Sequence, residues 1–195
     1  MIHNTRFHPI HNVNDGVVNT LTGIVSLTAP TVEQINILDI ISSLSKTCRF
    51  GGHVRRMYTV AQHCCLMASI VPPNYALEAL LDDAEEAYTG DVKKPLKVLL
   101  GEGFRVIESR FKLVIAQKFG LDTGVGAREI IKEADRIAVT VEHEAFQAGN
   151  GGPLKMLIAE RWLSSDFCRA WPPDEAATKL WSVFNALSYQ REIRR

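Results

Sequence analysis

Residues 80–97 read LLDDAEEAYTGDVKKPLK, and they carry an apolar run directly into a dense group of acids. The acids are closely spaced: Asp82, Asp83, Glu85, Glu86 and Asp91. The pattern predicts one helix over residues 75–88, which groups positions 82, 83 and 86, because side chains three or four residues apart are neighbours on a helix. These acids repel one another near the end of that helix, where the macrodipole disfavours negative charge. A bound cation would relieve the repulsion, and a solvated acidic face is the alternative interpretation.

The composition is that of an ordinary globular domain, with 46% hydrophobic and 23% charged residues. A length of 195 residues suits one domain over residues 1–195. The 22 basic and 22 acidic side chains leave no net charge, so electrostatics do not favour binding to a nucleic-acid polymer. There is no apolar run of about 18 residues, so we expect no membrane span, and the polar N-terminal residues are unlike a signal peptide. The four cysteines lack zinc-ribbon spacing, which indicates a reduced, cytoplasmic protein.

Helical signals dominate the chain, so the predicted fold class is all-α with a short irregular or hairpin segment before the helices. The segment VVNTLTGIVSLT, residues 17–28, is rich in β-branched residues and is the candidate hairpin. Thr31 and Gln34 have the spacing of a capping box, which predicts a helix start there. Apolar residues follow at helical spacing and are expected to face the core: Ile35, Leu38 and Ile41.

A second capping box, Thr59 with Gln62, predicts a helix that ends before Pro72 and Pro73. A helix over 102–119 is expected to stop at Gly120. Further amphipathic segments predict helices over residues 127–147, 154–164 and 174–190, with a turn at 149–153. Three tryptophans are expected to pack the end of the core: Trp162, Trp171 and Trp181.

Several polar residues occupy positions where helix packing favours apolar ones. They lie on three predicted helices: His63 on the first, Asp82, Asp83 and Glu86 on the second, and Asp135 on the third. An imidazole and several carboxylates that converge from three helices form a typical metal site of a helical bundle. A second metal cluster near the N-terminus is the less favoured alternative, from His3, His8 and His11.

Four segments in this order resemble the HD-domain phosphohydrolases: RFGGH at 49–53, VAQHC at 60–64, LLDDAEEAYTGD at 80–91 and EADR at 133–136. Among these enzymes the segments are most similar to bacterial 5′-deoxynucleotidases and small phage dATP or dNTP triphosphohydrolases, over roughly residues 31–147. The resemblance implies a single HD-type helical bundle and one divalent metal ion, Co²⁺, Mn²⁺, Zn²⁺ or Mg²⁺. The ligands that it implies are His63, Asp83, Asp135 and the residue at position 82.

Asp82 departs from the pattern of the family, which places a histidine before the motif aspartate. One imidazole and three carboxylates form a harder, more anionic ligand set, which favours Mn²⁺ or Mg²⁺ over Co²⁺ or Zn²⁺. Aspartate is also shorter than histidine, so the site could be weakened or empty. Three explanations stay open: a natural variant with another metal preference, a natural protein that has lost catalysis, and an engineered substitution that traps a substrate.

The resemblance also implies roles for six further residues. Glu86 matches the carboxylate that orients or deprotonates the attacking water, and Asp91 matches a second acid near the scissile phosphate. The substrate contacts that it implies are Arg49, Lys97 and Lys132 for phosphate and Phe50 for the base. Simpler roles are open for several of these residues: a surface charge for Arg49, a core position for Phe50 and an i, i+3 ion pair of Lys132 with Asp135.

The function expected from the resemblance is hydrolysis of nucleotides, with either a monophosphate or a triphosphate as substrate. A triphosphate needs additional cations, for which four residues are available: Arg55, Arg56, Lys93 and Lys94. A nucleotide-binding module without catalysis is the alternative, because of Asp82. The expected partners are a nucleotide and, since related enzymes are often dimers or larger, further copies of the chain. Of two other histidines, His53 could be a ligand but is interpreted as an unliganded loop residue, and His143 is interpreted as structural.

Overall fold

The computed structural model describes residues 16–147 and 165–193, and it is mostly helical with one short β-hairpin before the helices. The predicted fold class is therefore confirmed at the level of helices and hairpin. Several predictions lie outside the described residues: the turn at 149–153, the helix at 154–164, the packing of Trp162 and the histidines at positions 3, 8 and 11. Within the described ranges, no helix is long and apolar enough to cross a membrane.

The hairpin forms where the β-branched segment predicts it. Strands β1 (Val17–Asn19) and β2 (Ile24–Ser26) pair antiparallel. The turn between them is held by the buried carboxylate of Asp39, on the first helix, which accepts hydrogen bonds from the Thr20 hydroxyl at 2.9 Å and from the Thr22 hydroxyl at 2.6 Å. Because a buried carboxylate needs donors, these bonds fasten the hairpin to the helical part of the fold.

Helix α1 (Ile37–Leu44) begins later than the sequence predicts. The Thr31–Gln34 box forms, with the Thr31 N–H donating to Gln34 Oε1 at 3.0 Å, but it closes only a 3-10 turn. Asn36 then caps α1 by accepting from the Leu38 N–H at 3.0 Å. This start leaves Leu38 48% exposed, so the prediction that it faces the core is wrong.

Helix α2 (Val60–Ile70) is the central helix, and its first eight residues are all buried. It begins at Thr59, whose side chain accepts from the Gln62 N–H at 3.2 Å, as the capping pattern predicts. The Gln62 side chain does not complete the box. Its Nε2 donates instead to the carbonyl oxygens of Phe167 and Arg169, at 2.8 and 2.7 Å, which ties α2 to the segment before the last helix.

The single helix predicted over residues 75–88 is wrong. The structure has two short helices, α3 (Ala76–Leu80) and α4 (Glu86–Thr89), which are joined by turns through residues 81–85. Leu81 leaves helical geometry, at φ −110° and ψ 12°, while its side chain stays buried. The break keeps the apolar side chains in the core and avoids stacking four acids on neighbouring helical turns, where like charges repel.

Four longer helices complete the described fold: α5 (Lys94–Leu100), α6 (Glu102–Phe119), α7 (Val125–Phe146) and α8 (Pro173–Ile193). Helices α3, α7 and α8 pack around α2. Gly120 ends α6 in the left-handed conformation, as predicted. Trp171 is 3% exposed and packs in the core as expected, whereas Trp181 is 41% exposed, so its predicted core position is wrong.

Candidate metal and phosphate site

A cavity of about 760 Å³ opens between the loop at residues 49–53, the segment at 82–97 and helix α7. Most of the predicted site residues line it: Arg49, Phe50, Asp82, Asp83, Glu86, Asp91, Lys97 and Asp135. His63 lies behind this lining and is only 2% exposed. Lys132 is exposed on α7 and lies outside the lining, so the structure does not bring it to the other site residues.

His63 faces two carboxylates that come from different elements. Its Nε2 is 3.1 Å from Asp83 Oδ2, in the turns before α4, and 3.9 Å from Asp135 Oδ1, on α7. The structure therefore brings together an imidazole and two carboxylates that are far apart in the chain.

Glu142 is a further member of this group, and the sequence reasoning missed it. It is fully buried on α7, two helical turns after Asp135. Its Oε1 lies 2.5 Å from His63 Nδ1 and accepts a hydrogen bond from the Tyr58 hydroxyl at 3.0 Å, while its Oε2 accepts from Arg49 Nη2 at 3.2 Å. A carboxylate on Nδ1 fixes the tautomer and the orientation of the ring, so that Nε2 is directed toward the cavity. The available signal was an acid seven residues after Asp135, on the same face of an amphipathic helix.

The electrostatics of this group favour positive charge at the imidazole. Burial and the nearby Arg49 guanidinium would lower the pKa of His63, but Glu142 and Asp83 outweigh them and raise it to about 10. Burial would likewise raise the pKa of Glu142, but Arg49 and His63 hold it at about 2. The carboxylates that stabilise a proton on Nε2 would also stabilise a metal ion bound there in place of the proton. This environment therefore suits a cation at that position.

A divalent cation fits the group in part. Ligand atoms around such an ion lie roughly 3 Å apart when the bonds are about 2.0–2.2 Å, and the 3.1 Å between His63 Nε2 and Asp83 Oδ2 meets this spacing. Asp135 is further from the ring, with its Oδ1 3.9 Å from His63 Nε2, and its Oδ2 is 3.5 Å from the Nζ of the exposed Lys94. As it stands, no group of three or more His, Cys, Asp or Glu side chains in the described ranges has the arrangement of a metal site. Since an exposed ion pair contributes little, Asp135 can leave Lys94 to complete a set of three donors.

The carboxylate of Asp82 makes its ion pair away from His63. Its Oδ1 is 3.9 Å from Lys112 Nζ, which also donates to the Asp82 carbonyl oxygen at 3.1 Å. Lys112 has a second acidic partner in Glu85, at 3.1 Å. Asp82 also lines the cavity, and its role as a metal ligand stays a prediction.

Glu86 is buried at the cavity wall, 4% exposed, and Asp91 lines the same cavity. The Oε1 of Glu86 is 3.7 Å from Lys97 Nζ, and its Oε2 has no hydrogen-bond partner among the described residues. Burial, with added repulsion from Asp83 and Asp91, raises the pKa of Glu86 to about 9. A buried carboxyl oxygen without a partner is uncommon, and here it belongs to a residue that lines the cavity.

The loop that carries Arg49 and Phe50 has an unusual backbone. Phe50 has a φ of 57°, and Gly51 and Gly52 continue the turn at 59° and 80°. A non-glycine residue in this region stores strain, which is concentrated at functional sites. Arg49 is buried against Glu142, so the alternative of a surface charge is wrong. Phe50 is half-buried at the cavity, so the alternative of a core position is also wrong.

Gly51 also lies against a lysine from the opposite wall. A Cβ atom at this position would be 2.5 Å from Lys93 Cε. We expect Gly51→Ala to lower the free energy of unfolding by about 1–2 kcal/mol, because alanine is strained at this φ and Lys93 must move. Gly103→Ala is the matched control, since Gly103 lies in α6 with open space around its Cβ position and should gain up to about 0.5–1 kcal/mol. Urea unfolding measures both values, and equal effects would contradict the prediction.

Four lysines line the cavity around the carboxylates: Lys93, Lys94, Lys97 and Lys112. Lys97 Nζ lies 2.6 Å from Glu108 and, as described, close to Glu86. The alternative of an i, i+3 ion pair between Lys132 and Asp135 has no support. Within the described ranges, the lysine that pairs with Asp135 is Lys94, across the cavity. Arg55 and Arg56 are exposed and do not line the cavity.

No model of a known protein family matches the chain. The chain is 40% identical over 119 residues to the uncharacterized protein YfdR of Escherichia coli strain K12, in a match that covers 61% of this chain and 65% of YfdR. It thus spans slightly less than two thirds of that relative. It is 30% identical over 131 residues to the uncharacterized protein RCAP_rcc00048 of Rhodobacter capsulatus, in a match that covers 62% of this chain and 67% of that protein.

Proposed function

The chain belongs to the same family as RCAP_rcc00048, and we propose that it is a metal-dependent phosphohydrolase of the HD-domain type that acts on (deoxy)nucleotides. The observation that carries this proposal is the orientation of His63. Its Nδ1 is held by the buried Glu142, and its Nε2 points at Asp83 and Asp135 from behind a cavity lined by both carboxylates and cations.

His63, Asp83 and Asp135 are the residues that would hold a divalent ion. When bound, the ion would supply Lewis-acid activation of water and of a phosphoryl oxygen. Glu86 lines the cavity and, in its ionised form, would accept the proton of the attacking water. Its pKa of about 9 makes the carboxylate a strong base but leaves it protonated at neutral pH, so a cation beside Asp83 would have to lower that pKa before Glu86 could act. Asp91 acts as a second acid beside the scissile phosphate.

The cationic side chains of the cavity offset the charge of the substrate. The Arg49 guanidinium is already oriented by Asp83 and Glu142, and a planar fork of donors suits phosphate oxygens. Lys93, Lys94 and Lys97 add three further cations to the same cavity. We favour a nucleoside triphosphate as the substrate and inorganic triphosphate as a product, with Lys94 and Lys97 leaving their present partners Asp135 and Glu108 to contact the outer phosphates.

A metal and substrate screen tests the proposal. The purified protein is assayed with Mn²⁺, Mg²⁺, Co²⁺ and Zn²⁺ added singly, against the dNMPs and the dNTPs, with phosphate species separated by ion chromatography. We expect metal-dependent release of inorganic triphosphate from at least one dNTP. Stepwise release of orthophosphate would contradict the triphosphate assignment, and no release from any nucleotide would contradict the proposed activity.

A nucleotide-binding module is the second candidate, because the carboxylate at position 82 is paired with Lys112. We expect Asp82→His to raise metal affinity and turnover on the order of 10- to 100-fold, the range that changes around a metal centre produce. Lys112 keeps Glu85 as a partner in this variant, so the substitution does not leave this lysine without an acidic partner. Asp82→Asn is the control, since it removes the same charge without adding a nitrogen ligand. If Asp82→His and Asp82→Asn are equally inert while nucleotides still raise the melting temperature, the binding module is the correct function.

A further inference from the structure

The cavity continues along helix α7, beyond the carboxylates of Asp83 and Asp135. Four of its residues line the cavity at intervals of four: Asp135, Val139, His143 and Gln147, the last being its C-cap. Residues at this spacing share one face of a helix, and the eight residues from Asp135 to His143 span about 12 Å along the axis. The cavity therefore has a far end, at the C-terminus of α7, that the proposed chemistry does not use.

The far end differs chemically from the rest of the cavity. The rings of Phe50 and His143 meet edge to face, with centroids 5.3 Å apart, and His143 is exposed to the cavity. Gln147 Nε2 donates to the His53 carbonyl oxygen at 3.1 Å, which orients the carboxamide. Among the described residues, those that line this end are aromatic, aliphatic or amide, in contrast to the acids and lysines elsewhere. A flat heteroaromatic group suits such a surface, because a ring offers its faces to stacking and an amide offers both a donor and an acceptor.

We propose that the far end is a nucleobase site, in which His143, rather than being structural, joins Phe50 in holding the base, the contact that the resemblance already implies for Phe50. Gln147 contacts the hydrogen-bonding edge of the base. The identity of the ligand as a nucleotide rests on the proposed function. Two observations at Phe50 support the site: its φ of 57° is strained, as is common at functional sites, and its ring contacts His143. With the base at this end, the reacting phosphoryl group lies near Asp83 and Asp135, and the outer phosphates extend toward Lys94 and Lys97.

Binding measurements test the site without turnover. The four 2′-deoxynucleosides and 2-deoxyribose 5-phosphate, which has no base, are titrated into the protein by isothermal calorimetry. We expect His143→Ala to weaken deoxynucleoside binding about tenfold, the effect of losing one stacking partner, and to leave 2-deoxyribose 5-phosphate binding unchanged. His143→Phe should retain the deoxynucleoside affinity, because it keeps a ring. Glu129→Ala, exposed on α7 outside the cavity, is the matched control.

Gln147→Leu tests the hydrogen-bonding part of the proposal, and it should change the ranking of the four deoxynucleosides while the affinity for 2-deoxyribose 5-phosphate stays constant. Equal weakening of both ligand types by His143→Ala, or no deoxynucleoside binding to the unmodified protein, would overturn the site. The two proposals fail separately. Deoxynucleoside binding without any hydrolysis would overturn only the proposed activity, and nucleotide hydrolysis unaffected by His143→Ala would overturn only the base site.

Discussion

Glu142→Ala should lower the free energy of unfolding by about 3–5 kcal/mol, the cost of removing one partner from a buried charge group. The fully buried carboxylate accepts from Arg49 at 3.2 Å and from Tyr58 at 3.0 Å, and it lies 2.5 Å from His63 Nδ1. Alanine leaves Asp83 as the remaining shared counter-charge of the guanidinium and the imidazole, and it leaves the Tyr58 hydroxyl without its acceptor. Tyr58 and His63 are buried, so water does not readily replace the lost partner.

Urea unfolding followed by circular dichroism measures this effect. Glu142→Gln retains the shape and an accepting oxygen, so it should lose less stability than Glu142→Ala. It should nevertheless weaken Mn²⁺ binding roughly 10- to 100-fold, because it removes the charge that orients the ligand. The matched control is Glu129→Ala, at an exposed position of the same helix, which should stay within about 0.5 kcal/mol. A loss below about 1 kcal/mol for Glu142→Ala would show that this carboxylate is not a shared counter-ion.

Asp83→Asn should raise the activation free energy by about 4 kcal/mol, which lowers turnover on the order of a thousandfold. The reason is that a bound metal ion stabilises the transition state by several kcal/mol. Asp83 Oδ2 is the oxygen closest to His63 Nε2, at 3.1 Å, and it also meets Arg49 Nη1 at 3.3 Å. Burial would raise the pKa of Asp83, but the hydrogen bond and charge of His63 hold it well below its usual range. Asparagine has nearly the same shape but no charge, so the protein retains its fold and loses affinity for the cation.

Steady-state kinetics and metal content by elemental analysis check this prediction together. Turnover and bound metal should fall in parallel in Asp83→Asn. Asp174→Asn, an exposed position on α8, should match the unmodified protein in both measurements. Retained metal with lost turnover would assign Asp83 to a role other than that of a ligand, and retained turnover would remove it from the catalytic group.

Local chemistry in the sequence was enough to predict much of the helical framework. The Thr59 cap, the two prolines after α2 and the left-handed Gly120 act within a few residues of the chain, so their effect is readable without the fold. The grouping of His63, Asp83 and Asp135 was also predictable, because polar residues at apolar helix positions need each other.

Other features depend on which elements meet in space. Leu81 stays buried through a turn rather than a helix, because core packing outweighs local helix propensity there. Asp135 pairs with Lys94 across the cavity instead of with Lys132 on its own helix, since the path of the chain after α4 carries Lys94 to it.

The sequence by itself determined the hairpin, most of the helices and the grouping of His63 with Asp83 and Asp135. The tertiary structure alone decided that Glu142 stands behind His63, that Asp82 pairs with Lys112 and that α7 carries the cavity on to His143. The physical reason is the range of the interactions. Caps and turns are closed by neighbours in the chain, whereas a buried charge is paired by whichever element the fold packs against it.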